Sequence, residues 1–410
     1  MHTGLTEFIE KFTAYCNKNM GRYLGILENM VAINSHTENS KGVDKLGQYT
    51  ASIFETLGFS SQFFSSRNKS YGKHLICIKK GWAEKTAINK VAIISHLDTV
   101  YPYEEEQQQK FFFRIDDDRV YGPGTCDMKG GAVVIYMLLE CLKEKHPDFF
   151  NSLTWYLLFN ASEETDSSDF GELCARVLPP DTRAALIFEA SSSAGEKVNI
   201  VTSRKGRAVF RIESEGRGAH AGVAHHIGVN AIVRLCETIA HLAEFTDYSK
   251  GITVNTGLIG GGGALNRVPD NAFADIEMRA YEPEIFNETI EKIKALSSQN
   301  DGLSLNVKLV RSVQPWPQNI ASDKLYNMWA QAATDMGLKA YHESRGGLSD
   351  GNILWKILPV IDGLGPAGSN AHCSGPSPED QEFAVISDFV PKAVLSMIGL
   401  LRLFEIKNNA

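Results

Sequence analysis

The sequence predicts an α/β protein: a mainly parallel, mixed sheet flanked by helices, interrupted by an inserted ferredoxin-like α+β unit. Three observations lead there. At 410 residues the chain exceeds what one ordinary hydrophobic core organises. Over its first half, short apolar strands alternate with amphipathic helices, the pattern of a parallel sheet covered on both faces. Between residues 203 and 313 the order changes to β-α-β-β-α-β, and the α/β pattern then returns.

The elements follow in order. Helical apolar spacing opens the chain in two pieces, Leu5, Phe8, Ile9, Phe12 and then Leu24, Leu27, Met30, Val31. A further amphipathic helix spans about 43–57, with Gly58 as its stop. Strands are expected at 62–65, 74–79 and 91–94. The polar and aromatic segment 101–118 reads as an excursion before a short strand at 119–121. A helix over 129–145 carries Val133, Met137, Leu138 and Leu142 on one face. Buried strands follow at 153–159 and 184–188. The insert has strands near 207–214, 252–258, 272–279 and 304–310, with helices at 230–243 and 283–296. Gln314-Pro315-Trp316-Pro317 marks its exit. Helices at 325–336 and 351–357, strands at 339–342 and 359–361, and a last helix over 382–404 complete the chain. The domain limits are therefore 1–202 and 314–410 for the two parts of the α/β domain, and 203–313 for the insert.

Composition narrows the function. A net charge of −8 argues against nucleic acid or an anionic membrane as partner, since both need a basic face. The seven cysteines are odd in number and include no C-x-x-C pair, which suits a reducing compartment without disulfides or thiolate zinc knuckles. The first residues lack a secretory leader pattern, and no apolar run reaches the ~18–20 residues of a membrane span. A soluble, cytoplasmic protein is expected.

In open parallel sheets, ligands bind beyond the carboxyl ends of the strands. His96 and Asp98 follow the apolar run 91–94 and share a face in extended chain, where the carboxylate can accept the second imidazole N–H. The pair equally suits an ordinary strand cap. Gly122 to Gly131 is a Gly-rich turn delivering Asp127 just before a helix. Asp127 can be a plain N-cap, although four glycines exceed what a cap needs. The turn does not follow the phosphate-loop pattern. Glu163 and Glu164 end the next strand, and Glu189 the one after. Adjacent glutamates are common on solvated faces, but a carboxylate directly after Leu186-Ile187-Phe188 needs a partner or a metal. His372 falls in a turn before the last helix and reads, by itself, as structural. Nitrogen and oxygen donors without thiolates suit zinc, cobalt or manganese, and the surplus of acids suggests two ions about 3.5–4 Å apart.

The set Ser95-His96-Leu97-Asp98-Thr99-Val100, Gly122 to Gly131, Glu163-Glu164, Phe188-Glu189, Asn266-Arg267-Val268-Pro269, Gly346 to Gly351 and the turn around His372 resembles the M20 zinc metallopeptidases and amidohydrolases. That family includes glutamate carboxypeptidases, acetylornithine deacetylase and succinyl-diaminopimelate desuccinylase. The resemblance implies a zinc-peptidase-like fold whose insert serves as lid and dimerisation domain. It implies two Zn2+ per subunit, with Co2+ or Mn2+ as substitutes. His96 and Glu189 would hold one ion, Glu164 and His372 the other, and Asp127 both. Asp98 would orient His96, and Glu163 would be the general base. His220 would reach the partner subunit's site in a homodimer and help hold the oxyanion. Asn266, Arg279, Arg345 and Gly347 would contact substrate. The implied substrate is a short peptide or N-acyl amino acid with a free carboxylate. Arg345-Gly346-Gly347 leans towards the glutamate carboxypeptidase-like branch. Biosynthetic N-acetyl or N-succinyl deacylation, and a non-catalytic peptide binder, are the alternatives. Leu348 departs from the Thr of many members, and Met128 from the Asp of some. Cys126 and Cys373 flank ligand positions and are expected as small packing residues.

Overall fold

The computed structural model describes residues 2–82, 89–165, 167–300 and 302–404. Two compact units emerge, one of Met1–Thr202, Gln318–Glu343 and Ser349–Ala410, the other of Ser203–Pro317 and Ser344–Leu348.

The first unit is built on a six-stranded sheet. Its spatial order is Ser60–Ser65, Lys73–Lys79, Thr154–Asn160, Lys90–His96, Ala185–Ile187, Val360–Ile361. The first two pairings are antiparallel and the last three parallel. Lys90–His96 is buried along nearly its whole length, as a strand covered on both faces must be. Register decides what this half of the sheet presents. His96 lies opposite Asn160, and Ile94 opposite Ile187. The chain therefore leaves three neighbouring strands at one edge, carrying His96, Asn160 to Glu164, and Glu189.

Helix Lys129–Lys145 is buried from Lys129 through Leu142 and packs against Phe389–Leu403. Its start comes so near the sheet that a Cβ on Gly131 would sit 2.0 Å from the Phe188 carbonyl oxygen. Only glycine allows that approach, and it brings Asp127 to the ends of the strands.

Several expected elements change. The segment 101–118 contains a helix, Tyr103–Gln109, and a strand, Arg114–Asp116. Helices Pro147–Ser152 and Ser168–Val177 and strand Lys197–Arg204 also form. The last helix does not begin at Glu382. Gln381–Val385 is a strand between Gly368–Ser374 and Arg119–Tyr121, and the helix is Phe389–Leu403. His372 accordingly sits in a strand, not a turn. The strand is irregular between Ser369 and Ser374, and His372 itself has φ +66°.

The second unit is a five-stranded antiparallel sheet ordered Thr253–Gly261, Asn271–Ala280, Gly206–Glu215, Leu303–Val313, Ser298–Asn300. Its four long strands have the ferredoxin-like order. Gly206–Glu215 and Asn271–Ala280 alternate buried and half-exposed residues. Their buried face meets helices Ala231–Ala243 and Pro283–Lys294 through Phe210, Ile212, Ile276, Met278, Leu235 and Phe286. Ser344–Leu348 joins this unit, where Lys205 N–H donates to the Arg345 carbonyl at 3.0 Å. No helix among the described residues is long and apolar enough to cross a membrane.

One polar cluster inside the first unit yields a stability test. Glu140 accepts from Arg22 Nη1 at 2.8 Å and Nη2 at 2.5 Å, from the Tyr23 hydroxyl at 2.7 Å and from the Tyr136 hydroxyl at 3.1 Å. Burial pushes its pKa up, but these donors outweigh burial and hold it below the ordinary glutamate value. A depressed carboxylate stabilises above its unfolded pKa and loses that contribution as pH falls through the folded one. Arg22 is half-exposed, so solvent screening limits the gain. Arg22→Ala should cost about 1–2 kcal/mol at pH 7, and the gap to wild type should close below about pH 4. Urea unfolding at several pH values measures both. A gap that stays constant on acidification would contradict this account.

Candidate active site

His96 is the last residue of its strand. Its Nδ1–H donates to the Asp98 carbonyl at 2.9 Å. That bond fixes the tautomer and leaves the electron pair on Nε2. Nε2 faces Asp127 Oδ1 at 3.0 Å and Glu189 Oε1 at 3.7 Å. On the other side of Asp127, Oδ2 lies 3.4 Å from His372 Nε2, which in turn lies 3.2 Å from Glu164 Oε2. Two groups result, His96–Asp127–Glu189 and Asp127–Glu164–His372, with the donor atoms of each within 4.8 Å of one another. Asp127 belongs to both.

Asp98 does not orient His96 in the manner expected from the spacing. Its carboxylate is 3.7 Å from Nδ1, beyond hydrogen-bond reach, because the chain leaves extended geometry after His96 and offers the carbonyl instead. The carboxylate accepts the backbone N–H of Glu163 at 3.0 Å, that of Glu164 at 3.2 Å and the Thr37 hydroxyl at 2.7 Å. Asp98 thereby pins the loop of the two glutamates. From the other side, Asn160 donates to Asp350 at 2.8 Å and accepts the Ser162 N–H at 3.1 Å. His74 Nδ1 accepts the Ala161 N–H at 3.1 Å.

The electrostatics show what this donor set lacks. Burial opposes charge on His96, but Asp127, Glu189 and Glu163 outweigh it and place its pKa well above the usual value. Hydrogen bonds to Asp127 and Glu164 push His372 up to about 11. Burial and the Asp127 charge raise Glu164 to about 7, while burial, Glu189 and Glu164 push Glu163 well above its ordinary range. Clustered carboxylates of this kind demand positive charge. With Nδ1 of His96 committed to a carbonyl, imidazole nitrogen pairs and carboxylate oxygens converge, and such a set fits divalent metal ions of the zinc type. Glu163 is in neither group among the described residues.

Peptidase family M20/M25/M40 matches residues 92–395. The chain belongs to this family. Among its relatives, carboxypeptidase G2 of Pseudomonas sp. (strain RS-16) is 27% identical over 84% of this chain and 82% of the relative. Succinyl-diaminopimelate desuccinylase of Herminiimonas arsenicoxydans is 23% identical over 86% and 93%. A tripeptidase from Staphylococcus aureus superposes with a TM-score of 0.74 at 21% identity, covering 94% of this chain and 99% of its own. M20 membership makes the chain a peptidase or amidohydrolase; the family generally binds metal ions, and the two donor groups are candidate ligands.

The remaining positions of interest in this M20 chain lie in the second unit. His220 Nδ1 accepts the N–H groups of Gly222 and Val223, each at 3.2 Å, so the ring's hydrogen is on Nε2. The Asn266 carbonyl accepts the Ala221 N–H at 2.9 Å. Arg279 donates through Nε to Glu277 at 2.6 Å and through Nη1 to the Gly346 carbonyl at 2.7 Å. The Gly347 carbonyl accepts from Arg204 at 3.1 Å. Glu277, Thr37 and Glu382 escape sequence reasoning because no motif marks them. Of the two cysteines beside candidate ligand positions, Cys126 is buried as expected, but Cys373 is exposed.

Asp98→Asn keeps the carbonyl that holds His96 but loses the acceptor for one of the two glutamate amides. Exchange of the Glu163 and Glu164 amide hydrogens should accelerate about tenfold, the equivalent of one hydrogen bond of about 1.4 kcal/mol. Hydrogen–deuterium exchange over 160–165 reads this out, and unchanged protection would remove Asp98 as the anchor of the loop.

Proposed function

We propose that this M20 chain is a two-zinc hydrolase that cleaves the amide bond of a short peptide or N-acyl amino acid bearing a free carboxylate, in the manner of a carboxypeptidase. The observation that carries the reading is the pair of donor groups sharing Asp127, with Glu163 next in sequence to Glu164 and in neither group. His96, Asp127 and Glu189 would hold one zinc, and Asp127, Glu164 and His372 the other, with Co2+ or Mn2+ as substitutes. Bound zinc supplies Lewis-acid polarisation and a water acidified towards a pKa of about 7.

Glu163 takes a proton from the attacking water and passes it to the leaving nitrogen. The new bond joins water oxygen to the carbonyl carbon, and the carbon–nitrogen bond breaks. Asp98 keeps Glu163 in place through its backbone amide. His220, acting at the partner subunit's site, donates from Nε2 to the oxyanion. Its Nδ1 is already engaged by two amides, which supports that role. Arg279, steadied by Glu277 and Gly346, takes the substrate carboxylate together with Arg345, and Asn266 and Gly347 line the same end.

A homodimer through the inserted unit is part of the proposal. Exposed Leu258 and Ile259 on the outermost strand and Val233 on the adjoining helix support it, since exposed apolar edge strands usually find a partner. Seven free cysteines support a reducing, cytoplasmic setting. The likeness to a succinyl-diaminopimelate desuccinylase favours N-acyl amino-acid deacylation as the second reading. A non-catalytic binder is disfavoured, because every proposed ligand and Glu163 are present.

The zinc-loaded protein should be screened against C-terminal dipeptides, folyl-glutamate-like compounds and N-acetyl or N-succinyl amino acids. Turnover of the first two and not the third supports the carboxypeptidase reading, and the reverse supports the deacylase. Glu163→Ala should lower kcat by about 10²–10⁴-fold while metal content, measured by plasma emission, stays at the wild-type level. Normal turnover in that variant removes Glu163 as the base.

A further inference from the structure

The turn that carries Asp127 is closed by a side chain from a distant strand. Glu382 is completely buried. Its Oε1 accepts the backbone N–H of Cys126 at 2.7 Å and of Asp127 at 2.9 Å. Its Oε2 accepts the Tyr101 hydroxyl at 2.7 Å and the Gly124 N–H at 3.4 Å. Glu382 lies in strand Gln381–Val385, and the strand beside it, Gly368–Ser374, carries His372. The Tyr101 hydroxyl is also 3.4 Å from the carbonyl of Cys373, the residue after His372.

We infer that Glu382, seconded by Tyr101, is a positioning residue that sets where Asp127 stands between the two ligand groups. The inference rests on the metallohydrolase reading above. Asp127 has no regular element to hold it, for the helix begins only at Lys129. The amides around it need acceptors, and one buried carboxylate collects three of them. Charge-assisted bonds of this kind are the strong ones, and their loss leaves buried donors unpaired. The same strand pair carries His372, so Glu382 sets the spacing between Asp127 and His372 as well. Glu382 touches neither donor group through its own carboxylate and acts only through the backbone that bears Asp127.

The test compares wild type, Glu382→Ala, Glu382→Gln, Tyr101→Phe and Glu140→Gln. Glu140→Gln serves as a stability control remote from the site. Each metal-free protein is titrated with Zn2+ in competition with a chromophoric chelator, and kcat, KM and Tm are recorded. Glu382→Ala should weaken zinc binding about 10–100-fold and lower kcat to match, with KM changed less than about threefold. Glu382→Gln keeps an acceptor for the Cys126 and Asp127 amides and should stay within about tenfold of wild type. Tyr101→Phe should lose only a few-fold in zinc affinity. Glu140→Gln should lower Tm and leave zinc affinity unchanged.

Wild-type zinc affinity and kcat in Glu382→Ala, at whatever Tm, overturn the positioning role. So does an equal loss of zinc affinity in Glu140→Gln. If Glu382→Ala does not fold, wild-type zinc affinity in Tyr101→Phe overturns it. A wild-type chain that takes up no zinc overturns the metallohydrolase reading and this inference with it. A wild type that binds zinc and turns over, beside an unaffected Glu382→Ala, overturns this inference alone.

Discussion

One carboxylate, Asp127, faces two imidazoles at once, with Nε2 of His96 on one oxygen and Nε2 of His372 near the other. Two donor groups can share a residue only if the carboxylate stands between them, and the fold provides this by close approach of backbone to backbone. Gly131 lets the helix start press on the Phe188 carbonyl, so that Asp127 enters beside Glu189. The parallel register of Lys90–His96 and Thr154–Asn160 delivers His96 and Glu164 to the same edge. Packing in the sheet and the chemistry at its rim are thus one constraint.

Much of this rim was legible in the sequence, for a physical reason. His96, Glu163 and Glu189 each stand within a few residues of the end of a largely apolar run, and buried parallel strands leave no other place for their polar ends. Gly122 to Gly131 announces a turn that regular structure does not need. His372 was legible only through resemblance to a family, since a lone histidine carries no spacing signal and its positive φ is unforeseeable in a non-glycine residue.

The failures have equally specific causes. Phe383, Ile386, Phe389 and Val390 fall at helical intervals, so 382–404 reads as one helix. Pairing with Arg119–Tyr121 and Gly368–Ser374 draws Gln381–Val385 into a sheet instead. Local pattern cannot report a partner more than 250 residues away, and with that strand went the one signal for Glu382. At Asp98 the difference is smaller. Two-residue alternation holds only while the chain is extended, and the strand stops at His96. Two residues on, at Asp98, the carbonyl and not the carboxylate reaches the ring.

The three buried acids that brace the site share a property that bears on its chemistry. Asp98 takes hydrogen bonds from two amides and a hydroxyl, Glu382 from three amides and a hydroxyl, and Asp350 from the Asn160 side chain. All these donors are neutral. An arginine in any of these places would hold the loops as firmly, but it would also bring a fixed positive charge to the rim. Neutral bracing secures the geometry without adding a fixed cation beside Asp127, Glu164, Glu189 and Glu163. Burial raises Asp98 and Glu382 above their ordinary values, Glu382 to about 7 with the Asp127 charge adding to it. Such bracing orders the loops through the protein's own hydrogen bonds, which would spare an arriving metal ion the cost of ordering its ligands.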